Sequence, residues 1–272
     1  MTLGAAAYYL LPGRRSIAET NLNIAFPDFE KEKKISIIKK SFGNVLLGIF
    51  YIPWLNKIDP RTIESLVEVD KESLEHMRRA FEKKKGVLIL AGHFGNWELM
   101  GVSYGLNDLP PLNSIARKLD NPYLEKKLLQ FRTSTGNRVI YKTNASKEAI
   151  RALKRNECVG FLIDHNVAVN EIYVDFFGKK AATNRSLASL ALSTGAPIIA
   201  ATSFPLEGGR FRTVYSPEIR LEDVTDKKND VALLTQKCTD HLQEIITKCP
   251  EGWMWGHRRW KKRPEGEPPV YS

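Results

Sequence analysis

Between Lys71 and Phe204 the chain alternates between two hydrophobic periods, and this limits the folds open to it more than any other feature. The charged helical runs "KESLEHMRRAFEKKK", "NPYLEKKLLQFRTST", "SKEAIRALKRN" and "NRSLASLALSTG" are interleaved with the apolar, β-rich runs "GVLILAG", "LNSIAR", "NRVIY", "CVGFLID" and "APIIAATSF". Another helical run opens at about Asn96. Strands alternating with helices of about 10 to 15 residues predict an α/β fold with a largely parallel sheet flanked by helices. The Gly208-Gly209 turn predicts a hairpin that makes this sheet mixed. In "NRSLASLALSTG", Asn184 is the predicted N-cap and Gly195 the stop.

Upstream, "FEKEKKISIIKKSFGNVLLGIFYIPW" (Phe29 to Trp54) is charged first and then apolar. Its apolar part, about 14 residues, suits a buried or interfacial helix better than a membrane span. The opening "MTLGAAAYYLLPGRR" has an apolar run of about eight residues, too short for a span or a secretory signal. It reads as the tail of an amphipathic or anchoring element. Neither repeats nor low-complexity tracts interrupt the chain, so residues 1–272 are expected to form one domain whose first 55 or so residues are helical and membrane-associating.

An excess of 41 Lys+Arg over 31 Asp+Glu gives a formal charge of +10. This favours phosphates, anionic lipid or acidic proteins, without choosing among them. Cys158, Cys238 and Cys249 are odd in number and lack a CxxC spacing, which argues against a disulfide framework or a thiolate zinc site and for a reducing compartment.

Chemistry concentrates in "LILAGHFGNWELMG", where His93 and Glu98 stand where an apolar strand gives out. Five residues apart on one helix, their side chains would point about 140° apart. They can meet only if His93 lies in the turn and Glu98 in the first helical turn. Glu98 would then accept a hydrogen bond from one ring nitrogen and leave the other free to take a proton from an alcohol. The structural alternative is a Glu favoured by the helix dipole beside a satisfied polar His. "HFGNWE" is not HExxH, and with no second histidine at a ligand-like spacing no metal is expected.

"HFGNWE" matches the HX4(D/E) signature of glycerolipid-type acyltransferases. With "NLNIAFPD", "DNPYLEKKL", "FLIDHN", "VDFFGKKAATNRSLASLAL" and "PEGWMWGHRRWKKRPEG", in that family's order, nearly the whole chain resembles the lysophospholipid acyltransferase branch that includes the bacterial lipid A biosynthesis acyltransferases. The resemblance implies a glycerolipid acyltransferase-like fold and transfer of a fatty acyl chain to a hydroxyl of a lipid A precursor. The donor would be an acyl carrier protein thioester or coenzyme A, and no cofactor would be needed. The place would be the cytoplasmic face of the inner membrane, the protein being peripheral or monotopic on that anionic surface. His93 would be the general base and Glu98 its orienting partner. Backbone N–H groups of Gly95 and Asn96 would be a candidate oxyanion stabiliser.

The same resemblance singles out further residues. Arg117 and Arg132 would contact phosphate or the thioester end of the donor, and bidentate guanidinium donors suit both. Asp164 ends a strand in the family's Asp-Gln block, with His165 in place of Gln. Gly178, Asn184 and Arg185 fall in a substrate-binding block, in which Phe176 and Phe177 line either the acyl channel or the core. The closing "WMWGHRRWKKRPEG" reads as nucleic-acid binding, bilayer anchoring or a solvated basic helix. The resemblance selects lipid or headgroup phosphate, through His257, Arg258 and Arg259, and no nucleic acid. Two rival readings stay open: a different glycolipid acceptor, such as a phosphoinositide mannoside, and a non-catalytic basic membrane- or nucleic-acid-binding protein. The second would have His93 buried without a cleft.

Overall fold

The computed structural model describes residues 2–54, 60–143, 145–167, 169, 171–221 and 227–271. Three helices come first: α1 (Thr2–Leu10), α2 (Pro12–Ala25), which starts on Pro12, and α3 (Lys31–Trp54). α1 and α3 cross at glycines: a Cβ on Gly4 would lie 1.9 Å from the Lys39 carbonyl oxygen, so only glycine permits this approach. Then come α4 (Pro60–Leu66), β1 (Val67–Val69), α5 (Lys71–Glu82), β2 (Val87–Ala91), α6 (Trp97–Tyr104), β3 (Leu112–Ala116), α7 (Pro122–Thr133), β4 (Arg138–Tyr141), α8 (Ala145–Lys154) and β5 (Cys158–Leu162). The remaining elements are β6 (Glu171–Phe176), β7 (Lys179–Asn184), α9 (Ser186–Thr194), β8 (Ile198–Pro205), β9 (Phe211–Ile219) and α10 (Lys227–Lys248).

The strands order as β1-β9-β8-β2-β5-β3-β4 in a seven-stranded mixed sheet. β8, β2, β5, β3 and β4 run parallel; β9 turns back antiparallel on β8 across Gly208 and Gly209, both at positive φ, and β1 lies parallel to β9. The fold is thus the expected α/β class. β2 is central and buried throughout, as a parallel strand covered on both faces must be. Its alternate residues divide the core. Leu88 and Leu90 pack with residues of α8, α9 and α10, among them Leu153, Leu187 and Leu242. Val87, Ile89 and Ala91 pack with Leu74, Met77 and Phe81 of α5 and Met100 and Tyr104 of α6. Among the described residues, no helix is long and apolar enough to cross a membrane.

Three local expectations change. The stretch after β5, irregular by its pattern, contains the separate β6–β7 hairpin. Phe177 (φ 54) and Gly178 (φ 71) form its turn, so Gly178 answers the positive φ that such a turn demands, and a Cβ there would meet nothing. Asn184 does not cap α9 at the expected place: its Oδ1 accepts from Ser186 N at 2.7 Å, a turn one residue tighter, and Arg185 takes the N-cap position without a side-chain bond. Finally, the chain end is not a solvated helix, and its tryptophans are not exposed to meet a bilayer. After a 3-10 turn (Pro250–Gly252), Trp253, Trp255 and Trp260 are buried with Leu22, Ile38, Phe42 and Phe176. Each indole carries a large apolar area, and the N-terminal helices supply the partners that hide it from both water and lipid.

Candidate active site

His93 follows β2 in the turn that leads into α6, and two long-range contacts fix that turn. Gly95 (φ 58) donates its N–H to the Gly252 carbonyl at 2.8 Å, and a Cβ there would sit 1.8 Å from the Ser203 carbonyl oxygen. The His93 carbonyl accepts from Met254 N at 3.1 Å. The chain terminus therefore helps to build this site from below.

The His93 ring turns to Asp164, at the end of the neighbouring strand β5. Nδ1 lies 2.8 Å from Asp164 Oδ1, while Oδ2 accepts from His93 N at 2.7 Å and from Trp253 Nε1 at 2.8 Å. Asp164 is 2% exposed. Burial on its own would raise its pKa, but the His93 charge and hydrogen bond, with Trp253, outweigh this and hold the carboxyl well below the usual carboxylate range. An ionised acceptor at Nδ1 places the ring proton there. Nε2 has no hydrogen-bond partner among the described residues.

Glu98 is engaged elsewhere. Its carboxylate receives both arms of Arg132, Nε to Oε2 at 2.8 Å and a terminal nitrogen to Oε1 at 2.6 Å, and Trp97 Nε1 donates to Oε1 at 3.2 Å. No hydrogen bond or ion pair joins Glu98 to His93; the ring's hydrogen bond is to Asp164 instead. The reason is packing: α7 brings Arg132 to the first turn of α6, where a bidentate guanidinium competes better for a carboxylate than a neutral imidazole does. The Arg132 pKa is pulled down by burial but raised, on balance, by Glu98.

The expected oxyanion donors are likewise spent, Gly95 N on Gly252 and Asn96 N on Ser203 Oγ at 3.3 Å. Asn96 caps α6 through Leu99 N at 3.0 Å. The N–H groups of Trp97 and Glu98, at the positive end of the α6 dipole, have no partner among the described residues.

Two further histidines stack at this site: His165, which stands in place of the family's Gln, and His257, which the resemblance assigns to lipid or headgroup phosphate. His165 stacks face to face on His93 at 3.5 Å, and His257 stacks on His165 at 3.8 Å. Trp97 stands edge-on to the His93 ring at 4.9 Å. His93, Asp164 and His165 offer ligand atoms within 4.8 Å of one another. However, parallel rings do not aim their in-plane lone pairs at one point, and both Asp164 oxygens already accept hydrogen bonds. Arg259 is 1% exposed, donates to Ala182 O at 2.7 Å and to Thr183 Oγ1, and lies over the Phe176 ring; burial lowers its pKa to about 10, against the pull of Asp164.

Burial is the largest cause that holds His165 down to about 3 and His257 down to about 4. Both rings therefore stay neutral in the fold while an unfolded chain takes up protons below about 6.5. The unfolded state binds more protons in that window, so stability should fall as pH drops from about 6.5 toward 4, by up to about 1.4 kcal/mol per pH unit for each ring. His165→Gln should flatten the fall in melting temperature across this range. An unchanged slope would show that His165 does not carry it.

The remaining sequence candidates scatter. Arg117 is exposed and pairs with Asp120 at 2.8 Å; Arg185 and Arg258 are exposed; Gly178 sits at the hairpin tip and bonds Asp175. Phe176 and Phe177 pack with Trp253, Trp260 and Phe26 in the core. The apolar space lies elsewhere, on the α6 side of the sheet. It is a narrow cavity of about 80 Å³, lined by residues of β2, β3, β5 and α6, with Trp97, Glu98 and Arg132 along one side. Trp97 thus touches both the imidazole and the cavity.

A strand-end imidazole held by a buried carboxylate, beside an apolar cavity in an α/β sheet, suits an enzyme that takes a proton from a hydroxyl, and O-acyltransferases are one such class. The pattern that defines the family "Bacterial lipid A biosynthesis acyltransferase" matches residues 1–262, and the chain belongs to that family. It is 26% identical over 272 residues to the lipid A biosynthesis lauroyltransferase of Escherichia coli (strain K12), covering 99% of this chain and 86% of that one. It is 27% identical over 274 residues, with the same coverage, to the lipid A biosynthesis palmitoleoyltransferase of the same strain. The phosphatidylinositol mannoside acyltransferase of Mycolicibacterium smegmatis is 23% identical over 201 residues, 71% of this chain and 62% of the relative.

Proposed function

We propose that the protein transfers a fatty acyl chain from a thioester, carried by acyl carrier protein or coenzyme A, to a hydroxyl of a lipid A precursor. The observation that carries this reading is the His93 ring: Nδ1 is committed to Asp164, Nε2 has no partner among the described residues, and the ring packs against Trp97, which lines the cavity. Nε2 removes the acceptor proton as the oxygen attacks the thioester carbonyl. The C–O bond forms, the C–S bond breaks, and the imidazolium returns its proton to the departing sulfur. The ionised Asp164 stabilises that imidazolium. The Trp97 and Glu98 N–H groups meet the developing oxyanion, and the Glu98–Arg132 clamp fixes the helix turn that aims them. The cavity takes the acyl chain.

The relatives' names support a lipid A acceptor over a phosphatidylinositol mannoside, because the former relatives align over nearly the whole chain. Transfer of labelled acyl groups from each donor type to a panel of both acceptors decides the point. Transfer to mannosides alone would reverse the assignment.

Membrane contact is part of the proposal, but by a different surface than the terminal basic run. Arg259 is buried, Lys262 pairs with Glu171 and Arg263 with Glu267, which leaves Arg258 and Lys261 of that run exposed. α1 and the residue after it instead expose Leu3, Tyr9, Leu10 and Leu11, with Lys39 against the Tyr9 ring and Arg15 close behind. Apolar side chains among basic ones suit an anionic interface. Sedimentation with anionic vesicles should weaken several-fold from low to high salt, and should weaken again in Tyr9→Ser/Leu10→Ser. Binding indifferent to both would remove α1 as the contact.

A further inference from the structure

The cavity has a wall that the fold does not require. Gly101 lies on α6 three residues beyond Glu98, one turn deeper, and both line the cavity. Glycine in a helix interior is unfavourable and needs a reason. At Gly105 and Gly252 the reason is a close approach. A Cβ at Gly105 would sit 2.4 Å from the Thr135 carbonyl oxygen, and one at Gly252 would sit 2.2 Å from the Phe94 ring. At Gly101 a Cβ would meet nothing within 4 Å, and its φ is not among the positive ones. The space that its missing side chain leaves is cavity.

The residues around Gly101 join two sides of the cavity lining. Asn137 is buried and donates to the Gly101 carbonyl at 2.7 Å, while its Oδ1 accepts from Leu112 N at 3.2 Å. It thereby ties the α6 backbone to the start of β3. Leu112 reaches across to β5, where a Cβ on Gly160 would lie 3.1 Å from Leu112 Cδ1. On the strand side, then, the glycine's room is filled by leucine; on the helix side it is left open. Along β3 the lining runs from Ala116, near the catalytic ends of the strands, down to Leu112, about 13 Å at 3.3 Å per residue.

We infer that Gly101, with Leu112 opposite, sets the length of acyl chain that the enzyme accepts: the cavity ends at Leu112, and the absent side chain of Gly101 supplies the last part of its depth. This rests on the reading that the cavity holds the acyl chain. Side chains at position 101 shorten the usable cavity, and truncation at position 112 lengthens it.

The test uses the full chain and a homologous series of saturated donors from octanoyl to palmitoyl, with relative rates read within each variant so that a loss of active protein cancels. Gly101→Ala and then Gly101→Leu should lower the ratio of long-chain to short-chain transfer in steps, the leucine by roughly tenfold or more, since one methylene too many in a closed apolar site is commonly worth that much. Leu112→Ala should raise the ratio. Opposite shifts from two cavity-lining changes cannot come from a general loss of stability. A folded Gly101→Leu enzyme with the wild-type chain-length profile would overturn the inference and leave the acyltransferase reading standing. So would equal loss of every donor in both Gly101 variants. A wild-type enzyme that transferred from no donor of any length would overturn the reading itself, and this inference with it.

Discussion

With alanine at position 93, the protein is expected to fold and to lose acyl transfer by about a hundred- to ten-thousand-fold, the usual worth of a positioned general base. The loss should fall on the chemical step, because Nε2 acts on the acceptor proton only as the bond to the thioester carbon forms. Binding of the acyl donor should change little, since the cavity lining does not include His93. The ring does contribute packing, against His165 at 3.5 Å and Trp97 at 4.9 Å, so a modest drop in melting temperature should accompany the change. Single-turnover transfer, measured beside thermal melts, separates the two effects. A folded His93→Ala protein that transferred acyl chains at near the wild-type rate would end the catalytic reading.

Asp164→Asn should be about as damaging, for a reason of tautomers. His93 N and Trp253 Nε1 both donate to Oδ2, so the asparagine oxygen must take that place. Its NH2 group then faces His93 Nδ1, where Oδ1 had accepted a proton. Two donors cannot share that contact, and the ring proton moves to Nε2, the nitrogen that has to be free. A carboxylate-to-amide change of this kind costs on the order of ten-thousand-fold in hydrolases that use a His–Asp pair. The size and shape of the side chain are unchanged, so the melting temperature should fall far less than activity. Transfer reduced less than about tenfold would mean that Asp164 holds the turn without setting the tautomer.

The alternation from Lys71 to Phe204 was enough to determine an α/β sheet, because side-chain period reports which faces of each strand and helix are buried, and burial on both faces of β2 left it apolar throughout. The same local signals located His93 at a strand end. They could not choose its partner. Glu98 is near in sequence, yet Asp164, 71 residues away, holds the ring, because parallel pairing of β2 with β5 brings the ends of those strands together. Arg132 takes Glu98 because α7 packs on α6, a fact written in neither helix alone. The terminal tryptophans show the same limit. "WMWGHRRWKKRPEG" reads as nucleic-acid-binding, bilayer-anchoring or solvated as a string, but Trp253, Trp255 and Trp260 are buried once α2 and α3 cover them. Local sequence determines which segments must be buried; which surfaces bury one another, and so which carboxylate meets which imidazole, is decided by tertiary packing, where contacts far apart in the chain compete on geometry and desolvation.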